Sequence, residues 1–230
     1  MRTVLGNNLI GWDDFPDNQL MRCPNHKMYE AGLLLTLPIG FSYLDIGSHY
    51  GDTILTLALY AKKCGRDDIR FFAFEPNKRK CRHIKKIAKL NNLNIKVYNN
   101  CVGNNNNNVI SDGNWDEILG CCSYMENAAG KIKTIKLNDV DDEIKPVGIM
   151  HIDTEGWEPR VLSGASKVLI NTIYVIAECW TPEQSVLRGF SDDPERDIIN
   201  NIKVNYKRLD DIIDCERNLV FKMILEDFYL

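Results

Sequence analysis

Apolar runs of strand length recur along this chain, separated by longer segments of helical character. The runs at 41–46, 69–75, 95–102, 147–153 and 172–179 are rich in β-branched and aromatic residues, and the intervals between them are long enough for crossover helices. Such alternation predicts a parallel sheet with helices on both faces. The apolar segment Asp52–Cys64, followed by Gly65 as a stop, predicts one crossover helix. Asn77–Leu90, opening just after Pro76 and carrying Ile84, Ile87 and Ala88 at helical spacing, predicts another. Near the end, 204–209 and 219–224 are strand-like and joined by a polar stretch, which suits an antiparallel hairpin. The expected fold class is α/β: a doubly wound, Rossmann-like sheet of about seven strands, mainly parallel with a C-terminal antiparallel hairpin.

Two segments fall outside this rhythm. Residues 1–38 hold an irregular stretch with Trp12, Phe15 and Pro16 and then a helix expected over His26–Leu37, stopped by Pro38. This segment is expected to be an extension that caps a pocket or makes a homodimer contact, with 39–230 as the catalytic core of one domain. Region 103–130 contains five consecutive asparagines, Asn104–Asn108, and reads as a loop excursion.

Length and charge narrow the classes. A chain of 230 residues suits one substantial core, and a net charge of −4 gives no global field for nucleic acid or an anionic membrane. The basic run from Lys78 to Lys86 reads as a solvated helix face. No apolar run approaches the roughly 20 residues of a membrane span, and the start lacks the plan of a signal peptide, so a cytoplasmic location is expected. The eight cysteines show neither C-x-x-C pairs nor zinc-type spacing, and are read as reduced, mostly buried thiols.

The candidate chemistry lies at two strand ends, FSYLDIGSHYGD (Phe41–Asp52) and VGIMHIDTEGWE (Val147–Glu158). Ligands of open α/β sheets bind outside the carboxyl ends of strands, where strand order reverses, so these ends are expected to form opposite walls of one pocket. Gly47 and Gly51 bracket a turn, through Ser48 and His49, in which missing Cβ atoms let a ligand approach the backbone. A dinucleotide loop would carry glycine where His49 stands, which weakens a phosphate cradle. A ligand without phosphate and with a positive group to meet Asp45 fits better, and S-adenosylmethionine is one. Glu75, ending the second run, is placed to accept hydrogen bonds from both ribose hydroxyls. Asn100 and Cys101, at the end of the third run, are placed to offer backbone groups to the adenine edge. A plainer reading stands beside each feature: the glycines as turn residues, Asp45 and Asp153 as helix caps, His151 as a satisfied strand histidine.

Asp45–Gly51, then Phe74-Glu75-Pro76, then His151–Glu158 followed by Val161-Leu162-Ser163-Gly164-Ala165, with Leu137-Asn138-Asp139 between, together resemble the FkbM-type methyltransferases, class I enzymes that use S-adenosylmethionine. The resemblance spans roughly Tyr43 to Glu178 and implies methyl transfer to oxygen, commonly a hydroxyl of a sugar or glycan-like acceptor, with S-adenosylhomocysteine as product. His151 stands where the family often has lysine, Trp157 replaces a small residue and His49 replaces asparagine. Strand period two places His151 and Asp153 on one face, with Glu155 following. Asp153 or His151 is the expected acceptor of the hydroxyl proton, Glu155 orients the acceptor, and Trp157 and Glu178 shape its wall. No metal is assigned, although Asp153 with Glu178 offers an alternative seat for a divalent cation. Two other functions stay open: a class I methyltransferase with an RNA or small-molecule acceptor, and a non-catalytic nucleoside-binding module in glycan assembly.

Overall fold

The computed structural model describes residues 24–111, 124–126, 132–202, 206–209 and 218–224. In chain order the strands are β1 (Ser42–Ile46), β2 (Arg70–Phe74), β3 (Ile95–Tyr98), β4 (Cys101–Val102), β5 (Asn108–Ser111), β6 (Tyr124–Glu126), β7 (Ile132–Ile135), β8 (Val147–Ile152), β9 (Thr172–Glu178), β10 (Tyr206–Arg208) and β11 (Asn218–Met223). The helices are α1 (Pro24–Thr36), α2 (Asp52–Lys63), α3 (Lys78–Leu90), α4 (Asp141–Ile144), α5 (Glu158–Ser163), α6 (Ser166–Leu169), α7 (Pro182–Leu187) and α8 (Pro194–Asn201).

The main sheet has the order β10-β11-β9-β8-β1-β2-β3. Strands β3, β2, β1, β8 and β9 pair in parallel, whereas β11 pairs antiparallel with both β9 and β10. The expected hairpin is therefore present, and its connection at 210–217 lies outside the described residues. Every residue of β1 and β8 is buried, as in a doubly covered sheet, and most are apolar, the exceptions being Ser42, Asp45 and His151. Tyr43, Ala73, Ile149 and Ile176 face α1, α2 and α3 in one core. Leu44, Phe74, Met150 and Val175 join residues of α5, α6 and α8 in the other. A one-residue register slip would exchange these faces, so burial on both sides specifies the pairing.

Strand order reverses between β1 and β8, which puts the ends of the two sequence motifs side by side. The start of α3 is set by Asn77, whose side chain accepts from the Arg79 and Lys80 amides at 2.8 and 3.3 Å. Its basic residues face solvent except Lys80, which is buried.

Three expectations change. The run 95–102 is two strands, because the chain leaves the main sheet after Tyr98 and re-pairs at Cys101–Val102 with β7. Region 103–130, read as a loop, contributes β5 and β6 to a second sheet of order β4-β7-β5-β6. Its short polar strands carry little periodic signal, and their partners lie far along the chain. The helix expected as a cap or dimer arm is α1, and it belongs to the core: Ala31, Leu34 and Leu37 are buried there and Glu30 is fully buried. Trp12, Phe15, Pro16 and four of the cysteines lie outside the described residues. Of the other four, Cys81, Cys101 and Cys179 are buried thiols and Cys64 is an exposed one. No helix among the described residues is long and apolar enough to cross a membrane.

Candidate functional site

After Ile46 the chain turns through Gly47, whose φ of 91° lies in the left-handed region. A Cβ there would overlap the Asp153 carbonyl oxygen across the switch point, so only glycine lets the two strand ends meet. The Gly47 and Ser48 amides donate to the Phe74 carbonyl at 2.9 and 3.1 Å, and the Ser48 hydroxyl to the Asp45 carbonyl at 2.7 Å. Gly51, also left-handed, then caps α2. Glu75 closes this loop from the side. Its Oε2 accepts from the His49 amide at 2.9 Å and its Oε1 from the Asn77 amide at 2.7 Å. One amide per oxygen leaves further lone pairs, which a vicinal diol can fill. Burial pushes the Glu75 carboxyl up to about 7, opposed by Lys80 and by the two amides. Lys80, read from sequence as part of a solvated run, instead lies over the Tyr50 ring at 5.6 Å. Tyr50 meets the His49 ring edge-on at 4.8 Å.

The end of β8 forms the opposite wall. The Asp153 amide donates to the Ile46 carbonyl at 2.9 Å, tying the two motifs together. The following turn is organised by Glu158, buried at 3 % exposure, whose Oε1 accepts from the Thr154 amide, the Thr154 hydroxyl and the Gly156 amide at 2.7, 2.9 and 3.3 Å. Glu158 is thus the internal brace of the T-E-G-W-E turn, and burial moves its carboxyl up to about 6. Glu155 sits at the turn with φ 57° and, like Asp153, is half-buried. Glu178, ending β9, accepts from the Trp180 indole at 3.0 Å. Its burial, with Asp153, Glu158 and Glu155 nearby, holds its carboxyl well above the ordinary range, so it remains protonated. Among the described residues no group of three or more His, Cys, Asp or Glu side chains is arranged to hold a metal.

His151 does not join Asp153 and Glu155 at this mouth. It is buried at 4 % exposure, and its Nδ1 lies 3.0 Å from Oε1 of Glu30 on α1. Glu30 Oε2 accepts from the Tyr43 hydroxyl at 2.5 Å, and Asp45 is the register neighbour of His151 on β1. Burial raises the Asp45 carboxyl to about 7, with His151 pulling it down and Asp52, Glu30 and Asp153 pushing it up. Glu30, Tyr43, His151 and Asp45 therefore form a buried polar row under the glycine turn. No sequence pattern pointed to Glu30, because its partners come from strands far along the chain.

The remaining candidates are dispersed. Asn100 donates to the Lys133 carbonyl at 3.0 Å and Cys101 is buried beside β7, so the residue bracing the end of β3 is Asn99, which donates to the Glu75 and Pro76 carbonyls at 3.1 and 2.7 Å. Trp157 is buried against Cys101, with the Arg160 guanidinium over its ring at 4.5 Å. The tryptophan that lines an open cleft is Trp180.

The family described as "Methyltransferase FkbM domain" matches residues 45–185. No curated protein sequence matches the chain. Among solved structures the chain is similar to a SAM-dependent methyltransferase from Aquifex aeolicus (TM-score 0.51, 12% identity, covering 92% of this chain and 95% of that one). It is similar also to a candidate caffeoyl-CoA O-methyltransferase from Staphylococcus aureus (TM-score 0.52, 14% identity, 86% and 82%). A third likeness is to the bifunctional kinase-methyltransferase WbdD (TM-score 0.52, 14% identity), where 94% of this chain spans 43% of that one. At these identities the likeness establishes the class I methyltransferase fold.

Proposed function

Because the chain belongs to the FkbM methyltransferase family, we propose that it is an S-adenosylmethionine-dependent O-methyltransferase acting on a hydroxyl of a sugar or glycan-type acceptor. The observation that carries the cofactor reading is the glycine turn at the switch point, braced by a buried Glu75 with acceptor capacity left over. The residues present fit the cofactor: Gly47 to Gly51 leave the backbone approachable, and Glu75 faces the turn as an acceptor for ribose hydroxyls. Oxygen as the acceptor atom draws support from the O-methyltransferase among the structural neighbours.

When bound, S-adenosylmethionine supplies a methyl group on a sulfonium sulfur, and the sulfur keeps the C–S electron pair as the methyl passes to the acceptor oxygen. The chain has two tasks beside this. The first is alignment of oxygen and methyl, which can supply roughly 7–11 kcal/mol. The second is removal of the hydroxyl proton, for which one general base typically gives about 10²–10⁴-fold. Asp153 is the base in this reading, because it is half-buried at the shared wall whereas His151 is enclosed with Glu30. Glu155 orients the acceptor, and a protonated Glu178 can donate to it.

Calorimetric titration with S-adenosylhomocysteine tests the cofactor assignment. Micromolar binding is expected, at about −8 kcal/mol, weakened by about 1–3 kcal/mol in Glu75→Ala. Folded protein that does not bind would remove the methyltransferase reading.

A further inference from the structure

One cleft has no part in the cofactor assignment. It lies against the outer side of the β8 turn, has a volume of about 290 Å³, and its lining includes Arg160, Trp180, Phe190, Ser191, Asp197 and Ile198, together with Gly156 of the turn itself. That volume is at the small end for ligand sites, enough for one ring and too little for an oligomer or a dinucleotide.

Its construction is tied to the transfer site. Gly156 has a φ of 98°, and a Cβ there would come within 2.8 Å of the Phe190 ring and 3.3 Å of Trp180. The glycine of the T-E-G-W-E turn is therefore what admits both rings. They meet edge to face at 6.0 Å, and the Trp180 indole donates to Glu178 at 3.0 Å, on the strand end beside Asp153. The cleft and the proposed transfer site thus share one wall.

The lining chemistry selects the ligand. An aromatic pair offers a face for an apolar C–H surface, while the Asp197 carboxylate, the Ser191 hydroxyl and the Arg160 guanidinium offer acceptors and donors around it. A flat aromatic ring would leave these polar groups without purpose. An anionic acceptor would meet Asp197 and Glu158 against a single Arg160, whose guanidinium already lies over Trp157. A pyranose has both an apolar face and a belt of hydroxyls. We propose that this cleft is the acceptor subsite and holds a single uncharged pyranose ring against the T-E-G-W-E turn that follows Asp153, an inference that rests on the O-methyltransferase reading above.

The test uses the whole chain loaded with S-adenosylhomocysteine and titrated with methyl gluco-, manno-, galacto- and rhamnopyranosides, followed by saturation-transfer NMR and calorimetry. At least one glycoside is expected to bind in the millimolar range. Phe190→Ala and Asp197→Ala are each expected to weaken it about tenfold, and Ser191→Trp, which fills the cleft, to abolish it. All three variants should keep wild-type affinity for S-adenosylhomocysteine, which also reports that they are folded. Binding of the product with no glycoside bound would overturn the subsite and leave the cofactor assignment intact. Glycoside binding indifferent to all three variants, or binding of catechol in place of the glycosides, would overturn it as well. Failure to bind S-adenosylhomocysteine would remove both readings together.

Discussion

His151 and Glu30 face one another 3.0 Å apart in the interior, with Asp45 on the adjacent strand. Two buried carboxyl groups stand beside one imidazole, and the lysine common at position 151 in the family would offer Glu30 a donor equally well. Removing one partner of a buried pair typically costs about 3–5 kcal/mol, since the other is left uncompensated. His151→Gln is therefore expected to lose that much stability in urea denaturation, and His151→Lys to recover most of it together with methyl transfer. A His151→Lys variant of native stability but without turnover would restore His151 as the proton acceptor. The sequence placed His151 correctly on the face of Ile149, yet a period of two cannot say whether that face opens to a ligand or to a helix.

At the scale of elements, the helix expected over His26–Leu37 is present as α1, and its place in the core is what the sequence did not foretell. Its last turn leaves carbonyls without partners, and Arg66 meets them: the guanidinium donates to Leu34, Leu35 and Leu37 at 3.2, 3.1 and 2.9 Å while Asp68 accepts from its Nε at 2.7 Å. The fork geometry is what spans these acceptors, so lysine is a poor substitute. Arg66→Lys is expected to cost about 1–3 kcal/mol and to speed amide hydrogen exchange in α1, measured by mass spectrometry. Unchanged exchange would mean that apolar packing alone docks the helix. Because α1 carries Glu30, its docking also sets the buried row under the glycine turn. The second sheet shows the complementary case: β4 through β7 are short, and Asn104–Asn108 masks them, so only pairing with β7 reveals strands where sequence suggested a loop.

Over the whole molecule, several buried carboxyls act in one direction. Asp45 and Glu75 are raised to about 7 and Glu158 to about 6, above the roughly 4 of an unfolded chain. Between about pH 4 and 7 the folded state then holds more protons than the unfolded one, so stability falls as pH rises through that window, and Glu178, whose carboxyl is held higher still, continues the fall above it. Ligand binding should run the other way, because ribose hydroxyls donate to an ionised Glu75. S-adenosylhomocysteine affinity is expected to rise from pH 6 to pH 8. Thermal melts with and without ligand check both slopes: the free protein should melt lower at pH 7.5 than at pH 5, and the gain from ligand, about 2.7 kcal/mol at a hundred times its Kd, should be larger at the higher pH when ligand concentration is fixed. A Glu75→Gln variant should flatten the ligand slope.

The sequence by itself determined the parallel core, because strands buried on both faces, such as β1 and β8, must be mostly apolar, and it determined the glycine turn, because only glycine lets the two strand ends meet there. The Leu137-Asn138-Asp139 element was legible only through the family resemblance, and in the structure Leu137 is buried and Asn138 accepts from the Lys167 amide at 2.9 Å. Only the tertiary structure decided that His151 turns inward to Glu30, that Trp180 rather than Trp157 lines the cleft, that Lys80 leaves the solvated face of α3, and that Glu158 braces the turn it follows. Each depends on which distant segment packs against a side chain. Local periodicity records the face a residue takes, whereas packing between segments supplies what that face meets.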